Sequence, residues 1–200
     1  MTKPIRYAPL EFWRIAEHFL HVLHNLFGAP ENVAADHTLT ARAYKLLASW
    51  LSVGEALLRR LLLIEAAAYA NLPAALQRAH IKRPRVRKLM SFTAEQPEAW
   101  RVSLRCPIER QQPAGARLWK KRAAPKRFYS AWPLAERYEA LLRVFNDPTA
   151  FAKRLARRLR AKPSHAETLL KAPPAYIHRI DRAEDIDEAA RRAAPKCDSS

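Results

Sequence analysis

The longest pattern of hydrophobic and polar positions runs from Thr40 to Asn71 and predicts a single long helix. Apolar side chains recur there at alternating spacings of three and four residues, which forms a seam along one side of a helix. No Pro interrupts the stretch, and Pro73 predicts its end. At about 1.5 Å per residue the helix is roughly 48 Å long. The seam consists of Leu47, Trp50, Gly54, Leu57, Leu61, Ile64 and Ala68.

The apolar surface of this helix is wider than one neighbouring helix covers. Six more apolar residues between Leu46 and Leu63 lie outside the seam, which predicts burial on two or three sides by the rest of the chain or by a second copy. Charges at Lys45, Glu55 and Arg59 leave no uninterrupted apolar run long enough for a transmembrane segment. We predict that the polar side holds Lys45, Ser49, Ser52, Glu55 and Arg59, with Glu55 and Arg59 as an i,i+4 ion pair.

Other helices are predicted on both sides of this one. Residues 10–27 form an amphipathic helix between Pro9 and Gly28, and the loop that follows lets it fold back as an antiparallel pair with 40–71. Asp36, Thr38 and Thr40 are candidate caps for the long helix. Later in the chain, Asp147-Pro148 joins two helices within 133–161 as an αα-hairpin. Two shorter helices, at 165–171 and 182–193, each follow a predicted capping box, Ser164 to Glu167 and Asp181 to Glu184.

Residues 100–108 alternate between apolar and polar side chains, which predicts a half-buried strand or extended segment that packs Trp100 onto the helices. The chain has only three Gly, and a β-rich fold needs more Gly in its turns. The predicted fold is therefore mainly α: an antiparallel N-terminal helix pair with one long central helix, packed with a C-terminal αα-hairpin. It has a basic, Pro-punctuated, partly ordered middle and at most one short strand or hairpin. The predicted division is an apolar helical pair (1–73), a basic linker or extended segment (74–131), a basic helical hairpin (132–162), and short helices with a disordered tail (163–200).

The formal net charge of +17 is concentrated in the middle of the chain. Residues 74–127 hold fifteen Lys and Arg against three Asp and Glu, a net charge of +12. Cys106 and Cys197 have neither a disulfide framework nor a metal-binding spacing, and the N-terminus has charges where a signal peptide has an apolar core. We therefore expect a protein of the reducing cytoplasm.

Clustered Lys and Arg are the strongest indication of a binding function. Within 148–161 the apolar positions share one side of a helix and five cations fill the other, and Arg forks match phosphate geometry. Each cluster has a plainer interpretation, as a solvated linker or as the solvated face of a structural helix. The candidate polyanion-binding residues are Arg78, Lys82, Arg83, Arg85, Arg87, Lys88, Lys120, Lys121, Arg122, Lys153, Arg154, Arg157, Arg158 and Arg160.

Catalytic and metal-binding motifs are not evident in the sequence. His18, His21 and His24 are spaced by three residues on one helix, but no HExxH or CxxC partner motif supports a metal site, and we interpret them as surface residues. No glycine-rich phosphate loop or nucleophile elbow is present. The sequence therefore predicts a non-enzymatic protein without a cofactor.

Three binding functions remain as alternatives. The first is binding of nucleic acid or another polyanion through the clustered Arg and Lys. The second is a helical adaptor or self-associating scaffold, which would bind a protein partner or form a homo-oligomer through the apolar surface from Leu46 to Ile64. The third is peripheral association with an anionic membrane surface. We also expect an acidic cluster to dock on the Arg-rich helix and mask it: Asp181, Glu184, Asp185, Asp187 and Glu188.

Overall fold

The structure is a computed structural model that describes residues 7–70, 97, 100, 102, 104, 127–171 and 179–195. Within these residues it is mainly helical and contains one two-stranded antiparallel sheet, which confirms the predicted mainly α class. The elements in chain order are α1 (Leu10–Phe27), α2 (Pro30–Ala35), β1 (Thr38–Thr40), α3 (Ala41–Ala70), β2 (Phe128–Ser130), α4 (Trp132–Asn146), α5 (Pro148–Ala161), α6 (His165–Leu170) and α7 (Ala183–Ala193).

Helix α3 lies at the centre of the hydrophobic core. Helices α1, α4, α5, α6 and α7 all pack against it, and α2 packs against α4. From Leu51 to Leu63 every residue except Ser52 is buried. The prediction that this helix is covered on more than one side is therefore confirmed, and elements of the same chain supply the cover.

The termini of α1 follow the local sequence signals. The helix begins directly after Pro9 and ends at Gly28, which has a φ of +73°. The Gly28 N–H donates to the carbonyl of His24 over 2.8 Å and closes the last turn. Both bounds match the prediction because these two signals are local. Proline restricts φ before the helix, and glycine permits the positive φ at its end.

The sheet differs from the predicted strand. Strand β1 pairs with β2 so that Leu39 faces Tyr129, and the Tyr129 ring stacks on Tyr44 at a centroid distance of 4.7 Å. Thr40, at the end of β1, caps α3, since its Oγ1 accepts the N–H of Ala43 over 3.3 Å. The other two candidate caps of α3 lie before β1 or at its first residue.

The sequence predicted a strand or an extended segment over 100–108, and the residues of that stretch that the structure describes form no strand. Trp100, Val102 and Leu104 belong to no strand, although all three face the core as the alternation predicted. Trp100 is held by other contacts: its carbonyl accepts from Arg143 over 2.9 Å and its ring packs on Trp132 at 4.8 Å. The rest of the stretch lies outside the described residues.

The two predicted capping boxes are also wrong. Ser164 is the N-cap of α6 but its side chain makes no capping hydrogen bond, and α7 is capped by Arg182, at a φ of +54°, rather than by Asp181. The helices themselves begin at or within one residue of the predicted positions, because their apolar periodicity is independent of the caps. Asp147 likewise precedes Pro148 at the start of α5 without a side-chain cap.

The charges of α3 from Glu55 onward are buried, contrary to the predicted polar side, whereas Lys45 of that side is exposed. Glu55 pairs with Arg59 at 3.3 Å, as predicted, but also with Arg137 of α4 at 2.7 Å, and both Glu55 and Arg59 are only 6% exposed. Glu65 accepts hydrogen bonds from the backbone of Tyr7 and Ala8 and from the Trp13 side chain. The prediction failed because these partners come from distant parts of the sequence.

Candidate functional site

Helix α5 presents the predicted row of cations to solvent. Its apolar side, formed by Ala152, Leu155, Ala156 and Leu159, is buried, and its main neighbour is α3. The 3.6-residue period then places the intervening residues on the opposite side. The cations there are all exposed: Lys153, Arg154, Arg157, Arg158 and Arg160. We call these five residues the cationic face.

Most of these cations contact aromatic rings or backbone rather than carboxylates. Lys153 Nζ lies 5.4 Å from the centre of the Tyr69 ring, and the guanidinium of Arg154 lies 4.6 Å from that of Phe151. Arg154 and Arg157 also donate from Nε to carbonyls four residues earlier in their own helix. Within the described part of the chain no acidic side chain pairs with Lys153, Arg154, Arg157 or Arg158. Their charge is therefore available to an external anion.

Two environments around this face affect its chemistry. Arg157, Arg158 and Arg160 lie in the last turns of α5, where the helix dipole favours positive charge, so part of their role is to stabilise the helix terminus. Burial raises the pKa of Tyr69, with a smaller opposing effect from its hydrogen bond to Thr149. Tyr69 therefore remains neutral at physiological pH and places no anion beside Lys153.

The acidic cluster does not cover the cationic face at the positions whose ion pairs are described. Asp187 pairs with Arg60 of α3, Asp185 pairs with Arg182, and Glu188 pairs with Arg192. Helix α7 packs mainly on α3. These three carboxylates are therefore paired with cations outside α5 and do not cover its cationic face.

A partly open pocket of about 120 Å³ adjoins the cationic face where α3, α5 and α6 meet. Arg154 and Arg158 reach it from α5 and Arg59 reaches it from α3. No local pattern in the sequence indicates this pocket, because its wall combines residues that are up to 110 positions apart. Its remaining lining is apolar: Leu62, Leu104, Phe151, Leu155 and Leu169.

The other predicted site residues fall into two groups. His18, His21 and His24 are exposed on α1, and no group of three or more potential metal ligands occurs among the residues whose positions are described. The remaining cations of the predicted polyanion site lie outside the described residues: Arg78, Lys82, Arg83, Arg85, Arg87, Lys88, Lys120, Lys121 and Arg122. The structure thus brings together only the α5 members of that set, and it adds Arg59 beside them.

Comparison of the chain with protein-family models, with curated proteins and with solved structures found no match. Across the described residues, no helix combines the length with the apolar character that a membrane crossing requires. Functional inference therefore rests on the cationic face and on the pocket beside it.

Proposed function

We propose that this protein binds a polyanion, and specifically nucleic acid, through the cationic face of α5. The observation that carries the proposal is that all five cations are exposed while the apolar side of the same helix is buried. An ordinary amphipathic helix in this position needs only a polar outer surface. Four Arg and one Lys within eight residues supply much more positive charge than solvation requires.

The chemistry of these side chains favours phosphate as the ligand. A guanidinium presents donors in a planar fork that matches phosphate oxygens, and it carries its charge at any physiological pH. Helix α5 has 14 residues and is about 21 Å long, so it can follow several successive phosphates of one strand. The basic segments 78–88 and 120–122, which lie outside the described residues, would add cations for the same ligand, and they are part of the proposal.

The membrane alternative has less support from the described residues. A helix that binds a membrane surface inserts an apolar face between the lipid head groups. In α5 that face consists of Leu155, Leu159 and their neighbours, which are buried inside the protein. Attraction to anionic lipids would then rest on charge alone.

The adaptor alternative requires apolar surface between Leu46 and Ile64 that remains open to a partner. Leu46 is 49% exposed and Ile64 is half-buried, but most of the other apolar side chains of that stretch, among them Leu51, Leu57 and Leu58, are buried within the chain. Most of the apolar surface on which this alternative depends is therefore buried in the core of the same chain.

The proposal is tested by comparing two triple variants of the purified, nuclease-treated protein. R154A/R157A/R158A removes three charges from the cationic face, and R14A/R191A/R192A removes three exposed charges from α1 and α7. We expect the first variant to bind short labelled DNA and RNA at least about 100-fold more weakly than the native protein, since three lost charge-assisted contacts of about 1 kcal/mol or more each sum to about 3 kcal/mol or more. Fluorescence anisotropy at low salt measures both affinities.

The control variant should keep most of the native affinity, because it lowers the net charge equally at other sites. Equal losses in the two variants would show that binding depends on total charge and not on α5. Absence of any binding by the native protein at low salt would refute the nucleic-acid proposal. Anionic vesicles in place of the oligonucleotide test the membrane alternative in the same assay.

A further inference from the structure

The pocket beside the cationic face combines two kinds of surface that an extended phosphate-binding helix does not need. Most of its lining is apolar, formed by leucines of three helices together with Phe151, and three guanidinium groups complete it, of which Arg59 is buried while Arg154 and Arg158 are exposed. Phosphates bound along α5 would contact only the two exposed guanidinium groups. An apolar interior instead favours a ligand with an apolar or aromatic body next to its anionic group.

The charges around this pocket are unevenly compensated. Arg59 donates to the carbonyl and the carboxylate of Glu55, and Glu55 also binds Arg137. Arg154 and Arg158 are exposed and have no carboxylate partner within the described residues. The pocket therefore keeps a net positive charge, concentrated on its α5 side.

The Phe151 side chain gives the pocket one aromatic wall. It is half-buried, and the guanidinium of Arg154 lies over its ring with 4.6 Å between the group and the ring centre. An aromatic ring next to a phosphate-binding cation is the arrangement with which proteins hold single-stranded nucleic acid, because every base has a π-face that stacks without regard to sequence. Bases of a duplex are stacked on one another and cannot enter such a pocket without being extruded.

We propose that this pocket holds one unstacked nucleotide, with the base against Phe151 and the leucines and the phosphate on Arg154 and Arg158. The inference rests on the proposed function and narrows it from nucleic acid to single strands. Arg154 and Arg158 would then bind the phosphate of this nucleotide. Arg157 does not line the pocket and would have no such role.

The test compares three ligands of equal length on the native protein: a single strand, the same strand with every base replaced by an abasic site, and the duplex. All three present the same backbone chemistry. We expect the abasic strand to bind roughly 5- to 150-fold more weakly than the natural strand, the range found for loss of one stacked base. The duplex should also bind more weakly than the natural single strand. Competition with a nucleoside monophosphate shows whether the pocket also takes the free nucleotide.

A variant checks the location. F151A should reduce the difference between the natural and abasic strands, and F128A, which removes an exposed ring on β2, should leave that difference at its native value. If the natural and abasic strands bind equally well and salt weakens both, the proposed nucleotide pocket is refuted. The proposal that the cationic face binds nucleic acid is then supported. If no oligonucleotide binds, both proposals fail. Since the ligand comparison uses the native protein, misfolding of F151A would not affect its outcome.

Discussion

Arg60 is 1% exposed in the middle of α3, and it links three helices. Its guanidinium pairs with Asp187 of α7 and donates to the carbonyl of Leu170 at the end of α6 over 2.6 Å. A third bond goes to the carbonyl of Ala56 in its own helix. A buried cation of this kind is tolerated only because each of its three nitrogens donates a hydrogen bond.

Removing this guanidinium should destabilise the protein strongly. R60M keeps a long apolar side chain but leaves Asp187, which is 9% exposed, without its buried partner. We expect the free energy of unfolding in urea to fall by about 3–5 kcal/mol, the usual effect of breaking a buried ion pair from one side. The exposed pair of Arg192 and Glu188 is the matched control, and R192M should cost less than about 1 kcal/mol. Similar losses in both variants would contradict the structural role given to Arg60.

Tyr138 gives a second prediction at the residue scale. Its side chain is fully buried in α4, and its hydroxyl has no hydrogen-bond partner within the described part of the chain. Y138F removes the buried polar atom without leaving a large cavity, so we expect the variant to be about 1 kcal/mol more stable than the native protein at neutral pH. Urea unfolding of the two proteins measures this difference, and a clear loss of stability would show that the hydroxyl has a partner.

The same hydroxyl predicts a pH dependence. Burial raises the pKa of Tyr138 to about 12, above the value near 10 of an unfolded chain. Below pH 10 the phenol is neutral in both the folded and the unfolded chain, and its ionisation does not affect stability. As the pH rises from 10 through 12 the phenol ionises more readily in the unfolded chain, and the folded state loses stability. The stability advantage of Y138F should therefore widen by about 1.4 kcal/mol between pH 8 and pH 11. A constant difference across this range would indicate a normal tyrosine pKa.

At the scale of elements, the sequence predicted those helices whose signals are local. Helix α1 has the predicted bounds because Pro9 and Gly28 set them, and the period of α5 correctly separated its buried side from its cations. Helix α2 and strands β1 and β2 were missed. The strands have three residues each and depend on a partner about 90 positions away, so no local pattern marks them. The pocket beside α5 was missed for the same reason, since it exists only where three helices meet.

Gly54 controls how closely α1 and α4 approach α3. An added Cβ at this position would lie 2.8 Å from Cε1 of Phe19 and 3.1 Å from Cδ1 of Leu141. In an unhindered helix Gly→Ala stabilises by about 0.5–1 kcal/mol, but overpacking a core costs about 1–3 kcal/mol. We therefore expect G54A to be destabilised by about 1 kcal/mol or more in urea unfolding.

The contact with Phe19 can be separated from other effects of G54A by a double-mutant cycle. F19L shortens the side chain that the new methyl group would meet. The double variant G54A/F19L should lose less stability than the sum of the two single variants, because the methyl group then occupies space that the ring vacated. Additive losses, or a stabilised G54A, would contradict the close approach of α1 to α3.

At the scale of the whole molecule, the charged residues are divided between two roles. Glu55 and Arg60 of α3 are buried and bind distant parts of the chain, so they hold α4, α6 and α7 on the central helix. The cations of α5 face outward, and four of them have no carboxylate partner among the described residues. Composition alone indicated a basic protein, but only the fold shows which of its arginines have structural partners.

The most direct test of the central claim is the salt dependence of binding to a short single strand and to its duplex. Each neutralised phosphate contributes about 0.7 to the slope of log K against log salt for a single strand and about 0.9 for a duplex. Loss of three contacts in R154A/R157A/R158A should therefore lower the magnitude of the slope by about 2 for the single strand and about 3 for the duplex. R14A/R191A/R192A should leave the slopes at their native values. Native slopes in the α5 variant would show that these arginines bind no phosphates and would contradict the proposed function.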